Sequence, residues 1–60
     1  SEFFEAYGRM VVQMGGEEVE PGLYSLHGHY VTFAKHGGVT EIASSTDKQS
    51  AVSVMKLMKP

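Results

Sequence analysis

Cysteine is absent from this chain of 60 residues, and so is tryptophan. Without cysteine the chain can form neither disulfides nor thiolate metal sites. Domains of this size usually depend on such cross-links, on a bound metal or on a partner chain. The remaining sources of stability are a histidine and carboxylate metal site, an unusually well-packed core, or self-association, and we favour self-association.

Basic residues are also scarce, because five lysines and arginines stand against seven acids and the sequence pI is about 5.8. Nucleic-acid-binding domains carry a basic footprint, with a domain pI typically above about 9. The composition therefore argues against a nucleic-acid partner. The charges are also divided along the chain, since five glutamates and only Arg9 occupy the first third. This polarity would suit an antiparallel approach of two copies.

Long hydrophobic runs are missing as well. No apolar run reaches the ~18 residues of a membrane span, and no charged and apolar leader precedes a cleavage site. We therefore expect no membrane association and a cytoplasmic location, with which the lack of cysteine agrees. The hydrophobic fraction of 42% fits one small globular domain over residues 1–60, of the kind that bacteria and phages encode as short free-standing proteins.

The N-terminal stretch "SEFFEAYGRMVVQM" has the pattern of an amphipathic helix. Its apolar residues recur at helical spacing: Phe3, Tyr7, Met10 and Met14, broadened by Phe4 and Val11. Ser1 is the predicted N-cap, and Gly15-Gly16 is the predicted C-terminal stop.

The C-terminal stretch "TDKQSAVSVMKLMKP" admits two interpretations. Thr46 and Gln49 have the spacing of a capping box, and the apolar stripe of a helix follows at Ala51, Val54, Met55 and Met58. Lys56 and Lys59 suit the negative end of a helix, and Pro60 would end it. The alternation in Val52-Ser53-Val54 would instead give a final strand and a small all-β barrel. We favour the helix.

Between these segments, "LYSL", "YVTFAK" and "VTEIAS" have the composition of strands, and "EEVEPG" looks like a polar connector. The "HGG" between the last two strands predicts a tight hairpin with positive φ at Gly37 or Gly38. The predicted fold is α+β, with an N-terminal helix, a three-stranded antiparallel sheet and a C-terminal helix packed on one face.

Three histidines, at positions 27, 29 and 36, are the candidate chemistry. His27 and His29 would need a third ligand to hold a metal. A continuous strand would place His36 roughly 23 Å from His29 and on the opposite face. We therefore predict no metal site and no cofactor. An alternative is acid–base catalysis by His29 or His27, because histidine titrates near neutrality.

The order helix, strands, helix, with "HGHYVTF" leading into the middle strand, resembles the HicA-type ribonuclease toxins. Gly28 and His29 correspond to part of the Gly-Ser-His-His stretch of that family. The resemblance implies a compact fold like that of double-stranded-RNA-binding domains, and a histidine-dependent ribonuclease as an alternative function. A further alternative is a module that binds nucleic acid weakly through its sheet.

The leading expectation is a non-enzymatic binding or regulatory module that acts through protein–protein contacts as a homodimer. Methionine fills irregular gaps in cores and is common on adaptable binding surfaces. All four methionines fall on the predicted helical stripes, where we expect core packing or a helix-mediated interface. The predicted interface residues are Phe3, Tyr7, Met10, Met14, Met55 and Met58.

Overall fold

A computed structural model describes residues 2–58, apart from the side chain of Glu2. Its elements are α1 (Glu2–Gln13), β1 (Glu17–Glu20), β2 (Leu23–Leu26), β3 (His29–His36), β4 (Val39–Ser45) and α2 (Lys48–Met58). The strands form one sheet in the order β1-β2-β3-β4, with every neighbouring pair antiparallel. The α+β class is confirmed, with one helix before the strands in the sequence and one after them. The alternative of an all-β barrel is wrong.

The sheet has four strands rather than three, because "EEVE" is a strand and not a connector. β1 pairs with β2 through Glu17↔Ser25 and Glu18↔Tyr24, and a bulge follows before Glu20↔Leu23. Glutamates are tolerated here because β1 is an edge strand with water on its open side. Their low strand propensity hid the element in the sequence.

Helix α1 ends where the glycine pair predicts. The Gly16 N–H donates to the Val11 carbonyl at 2.9 Å, and the Gly15 N–H donates to the Val12 carbonyl at 3.0 Å. This pair of bonds is a Schellman motif, with Gly15 in the left-handed region at φ 98°. The predicted N-cap, Ser1, lies outside the described residues.

The buried stripe of α1 is rotated from the predicted one. Val11 is buried and Tyr7 is half-buried, whereas Met10 and Met14 are 46% and 54% exposed. The rotation follows from Gly8, which is itself buried and lets the Tyr24 ring come against the helix backbone. The interpretation of Met10 and Met14 as core residues is therefore wrong.

The two helices cover opposite faces of the sheet. Register places Tyr24, Leu26, Val31 and Phe33 on one face, where they pack with Val11 and Tyr7 of α1. Leu23, Thr32 and Ala34 share the other face and are at most 8% exposed. Helix α2 contacts β3 and β4 and covers that second face. The two helices can lie on different faces because β2 and β3 carry apolar side chains on both sides.

Helix α2 begins one residue later than the predicted capping box. Asp47, not Thr46, is the N-cap, because its Oδ2 accepts from the Ser50 N–H at 2.9 Å and the Ser50 hydroxyl at 2.8 Å. Ala51 and Met58 are buried and Met55 is half-buried, which confirms the predicted stripe for these residues. Lys59 and Pro60 lie outside the described residues.

The predicted hairpin turn after β3 is confirmed, with φ 61° at Gly37, the first of the two loop glycines. The division of charge along the sequence is partly balanced within the chain, since the Lys48 Nζ lies 3.3 Å from a carboxylate oxygen of Glu20. Both side chains are exposed, so this ion pair contributes little to stability.

Candidate peptide-binding groove

A gap in the sheet opens where β2 is shorter than β3. β2 pairs with β3 only from Leu26↔His29 to Leu23↔Thr32, whereas β3 continues to His36. The chain turns away at Pro21-Gly22, and the Thr32 hydroxyl holds that turn by donating to the Gly22 carbonyl at 2.9 Å. Residues 34–36 of β3 therefore have a strand on the β4 side only.

The hairpins determine which backbone groups of β3 point into this gap. His27 and Gly28 form a two-residue loop with φ 49° and 80°, as in a type I′ turn. Residues that flank such a loop form a hydrogen-bonded pair, and the direction of the N–H and C=O groups then alternates along the strand. The backbone N–H and C=O groups of His29 and Val31 thus point to the β2 side of the strand, and so do those of Phe33 and Lys35.

The second hairpin gives the same assignment. His36 and Val39 flank its two-residue loop and form a hydrogen-bonded pair, so the backbone groups of His36 point toward β4. Lys35 therefore presents its backbone groups at a vacant position beside β3, and within residues 2–58 the β2 register gives it no partner. Phe33 does not, because Leu23↔Thr32 is a non-hydrogen-bonded pair and the ladder continues to Gly22 opposite Phe33.

The gap is the floor of a cavity of about 550 Å³, which we call the edge groove. It is lined by Phe4, Glu5, Glu18, Pro21, Gly22, Tyr24, Thr32, Phe33, Ala34, Lys35, Met55 and Met58.

Each side of the groove has its own wall. On the α1 side the Phe33 ring is stacked with Phe4 at 6.1 Å and with Tyr24 at 5.6 Å between centroids. On the α2 side the wall is formed by Ala34, Met55 and Met58. Both walls are apolar, and the α2 wall contains flexible thioether side chains that adapt to irregular shapes.

Polar groups lie at the rim of the groove. A Glu18 carboxylate oxygen accepts from the Gly22 N–H at 3.2 Å, which anchors the turn. Burial raises the pKa of the Tyr24 hydroxyl, and the negative charge of Glu18 and a hydrogen bond to it raise the pKa further. The Lys35 Nζ lies 5.2 Å from the centre of the Phe3 ring, above its face. Glu5 and Glu18 together give the rim more negative than positive charge.

The histidines are not brought together. His27 lies within the β2–β3 turn and His29 follows it, both exposed, while His36 lies at the other end of β3. The His36 Nε2 lies 3.2 Å from a Glu41 carboxylate oxygen on the surface. Among the described residues, no group of three or more His, Cys, Asp or Glu side chains could hold a metal ion.

The six predicted interface residues divide between the two faces of the sheet. Phe3 and Tyr7 are half-buried in contact with each other on the α1 side, with ring centroids 4.8 Å apart. Met55 and Met58 line the edge groove from the α2 side. Met10 on α1 and Met14 directly after α1 are exposed, and neither lines the groove.

Sequence reasoning missed the groove, although one signal for it is present. "LYSL" is half the length of the strand that it pairs with, so part of the longer strand must lack a neighbour on that side. Which neighbouring side chains would wall the resulting gap depends on the placement of both helices. That placement follows from tertiary packing and not from local sequence.

Comparison with known families, with curated proteins and with solved structures finds no match to this chain. Within the described residues, neither helix is long and apolar enough to cross a membrane. The functional proposal therefore rests on the geometry of the chain's own residues.

Proposed function

We propose that this chain is a non-enzymatic binding module that acts through protein–protein contacts as a homodimer. Its edge groove takes a short extended segment of a partner protein. The observation that supports the groove most directly is the outward direction of the Lys35 backbone groups beside an unoccupied strand position.

An extended segment suits this site because it adds a strand to an open sheet edge. The main-chain hydrogen bonds supply affinity, and pockets for alternate side chains supply specificity. Successive side chains of a strand point to opposite faces. Those of the segment would contact the aromatic wall at Phe4 and Phe33 and the opposite wall at Met55 and Met58.

The shape and charge of the groove restrict the segment further. Residues 34–36 of β3 can pair with about three residues of an added strand. Apolar side chains at alternate positions fit both walls, and one basic residue would complement Glu5 and Glu18 at the rim. The proposed partner segment is therefore short, apolar and singly basic.

The test uses a blocked pentapeptide of valine and isoleucine with one lysine, titrated into isotope-labelled protein. We expect the amide resonance of Lys35 to shift on binding, because this group forms a new hydrogen bond. The matched control is the same peptide N-methylated at alternate residues, which cannot donate such bonds. Equal binding of both peptides, or shifts confined to residues outside the groove, would contradict strand addition.

A pair of variants tests the aromatic wall. Phe4 lines the groove and is 41% exposed, whereas Met10 is 46% exposed on the same helix and lies outside the groove. We expect Phe4→Ala to weaken peptide binding about tenfold through lost apolar contact, and Met10→Ala to leave it within about twofold. Equal effects of the two substitutions would contradict a contact between Phe4 and the bound peptide.

A further inference from the structure

The two edges of the sheet differ in how they resist pairing with another chain. β1 is four residues long, carries three glutamates and is interrupted by a bulge. These are devices by which proteins prevent edge-to-edge association. β4 is seven residues long and contains one acid, no lysine, no proline and no bulge in its pairing with β3. β4 is therefore the unprotected edge.

The outward groups of β4 follow from the same hairpin geometry. Val39 flanks the Gly37-Gly38 loop and points toward β3, so Thr40, Ile42 and Ser44 direct their N–H and C=O groups away from the sheet. Ile42 is both an outward residue and the midpoint of Val39–Ser45. Its side chain is 60% exposed and lies on the same face of the sheet as Phe33, the face on which α1 packs over β1 and β2.

We propose that β4 pairs with β4 of a second copy of this chain, antiparallel, about a two-fold axis at Ile42. This inference gives the homodimer of the proposed function a specific surface and is independent of the edge groove. The symmetry pairs each Ile42 with its counterpart and each Thr40 with Ser44 of the other copy. Two four-stranded sheets then become continuous, and a two-fold contact of this kind closes on itself.

This register avoids directly opposed charges. Glu41 lies opposite the small Ala43 of the other copy, so the two strands bring no like charges directly opposite each other. Glu41 also lies 3.2 Å from His36 of its own chain, which holds the carboxylate beside the strand. The paired Ile42 side chains cover apolar surface that is exposed in the single chain.

Sedimentation equilibrium of the unaltered chain over about a hundredfold range of concentration tests the dimer. We expect Ile42→Lys to raise the dissociation constant at least about tenfold, because it places two ammonium groups opposite each other. The matched control is Met14→Lys, which changes a residue of comparable exposure (54%) directly after α1 and within the helical stripe predicted from sequence. It should leave the constant within about twofold.

A monomer at every concentration would overturn the inference. A dimer disrupted by Met14→Lys but not by Ile42→Lys would overturn it in favour of the helical stripe. Ile42→Lys should bind the pentapeptide as the unaltered chain does. A failure of dimerisation and a failure of groove binding are therefore distinguishable.

The register is tested by cross-linking in a chain that contains no cysteine of its own. Directly opposed residues of a hydrogen-bonded pair have Cα atoms about 5.5 Å apart, within disulfide range. In the proposed register the two Thr40 residues are offset by four positions, or roughly 13 Å. We expect Ile42→Cys to oxidise to a covalent dimer at least about tenfold faster than Thr40→Cys. Equal rates, or faster oxidation of Thr40→Cys, would overturn the register.

Discussion

At the scale of single residues, the contact between Gly8 and Tyr24 controls how α1 lies on the sheet. A Cβ atom at Gly8 would overlap the Tyr24 hydroxyl and lie 3.1 Å from its ring carbon Cζ. Tyr24 is 8% exposed and stacked on Phe33, so its ring has little room to retreat. The glycine therefore serves close packing and not helix formation.

We predict that Gly8→Ala lowers the free energy of unfolding by about 1–3 kcal/mol, as overpacking substitutions do. Helix propensity alone would predict a gain of about 1 kcal/mol. Urea denaturation measures the difference, and adding Tyr24→Phe to Gly8→Ala should recover part of the loss by removing the overlapping oxygen. A stabilising effect of Gly8→Ala would show that α1 does not approach Tyr24 so closely.

At the scale of elements, Asp47 fixes the start of α2. Hydrogen bonds from the hydroxyl and N–H of Ser50 hold the pKa of the Asp47 carboxyl below its usual value. A carboxyl with a lowered pKa stabilises the fold at pH values above the pKa that it has in the unfolded chain. That contribution disappears as the pH falls through the pKa of the folded state.

We predict that Asp47→Asn reduces the loss of stability between about pH 5 and pH 2, because asparagine can accept the same hydrogen bonds but does not titrate there. Chemical denaturation at several pH values measures this. Thr46→Ala is the control at the neighbouring position and should leave the acid dependence of the unaltered chain in place. An unchanged acid profile in Asp47→Asn would indicate that the Asp47 cap does not contribute.

The sequence predicts those elements whose signals are local. Gly15-Gly16 and the "HGG" loop indicate where the chain must adopt positive φ, and the structure has φ 98° at Gly15 and 61° at Gly37. The apolar spacing of Ala51, Met55 and Met58 predicts α2, and Ala51 and Met58 are buried.

Features that depend on contacts between distant parts of the chain could not be predicted from local sequence patterns. The three glutamates of β1 oppose strand formation locally, and only pairing with β2 makes the segment a strand. The buried face of α1 depends on Tyr24, which lies sixteen positions beyond Gly8 in the sequence. The edge groove needs side chains from both helices and three segments of the sheet, so no short pattern could reveal it.

At the scale of the whole molecule, residues 2–58 contain two open strand edges that lack the glutamates and the bulge of the β1 edge. One is the outer edge of β4, and the other is the part of β3 that β2 leaves open. We assign the first to a second copy of the chain and the second to an extended partner segment. Both assignments depend on the direction of particular backbone groups, so a residue-resolved experiment can test them together.

Amide hydrogen exchange, followed by residue at low and high protein concentration, tests this central claim most directly. We expect Glu41 and Ala43 to be protected at both concentrations, and Thr40, Ile42 and Ser44 to gain protection only as the concentration rises. Lys35 should exchange rapidly until the pentapeptide is added. Concentration-independent exchange at Thr40, Ile42 and Ser44, together with a protected Lys35 amide in the free protein, would contradict it.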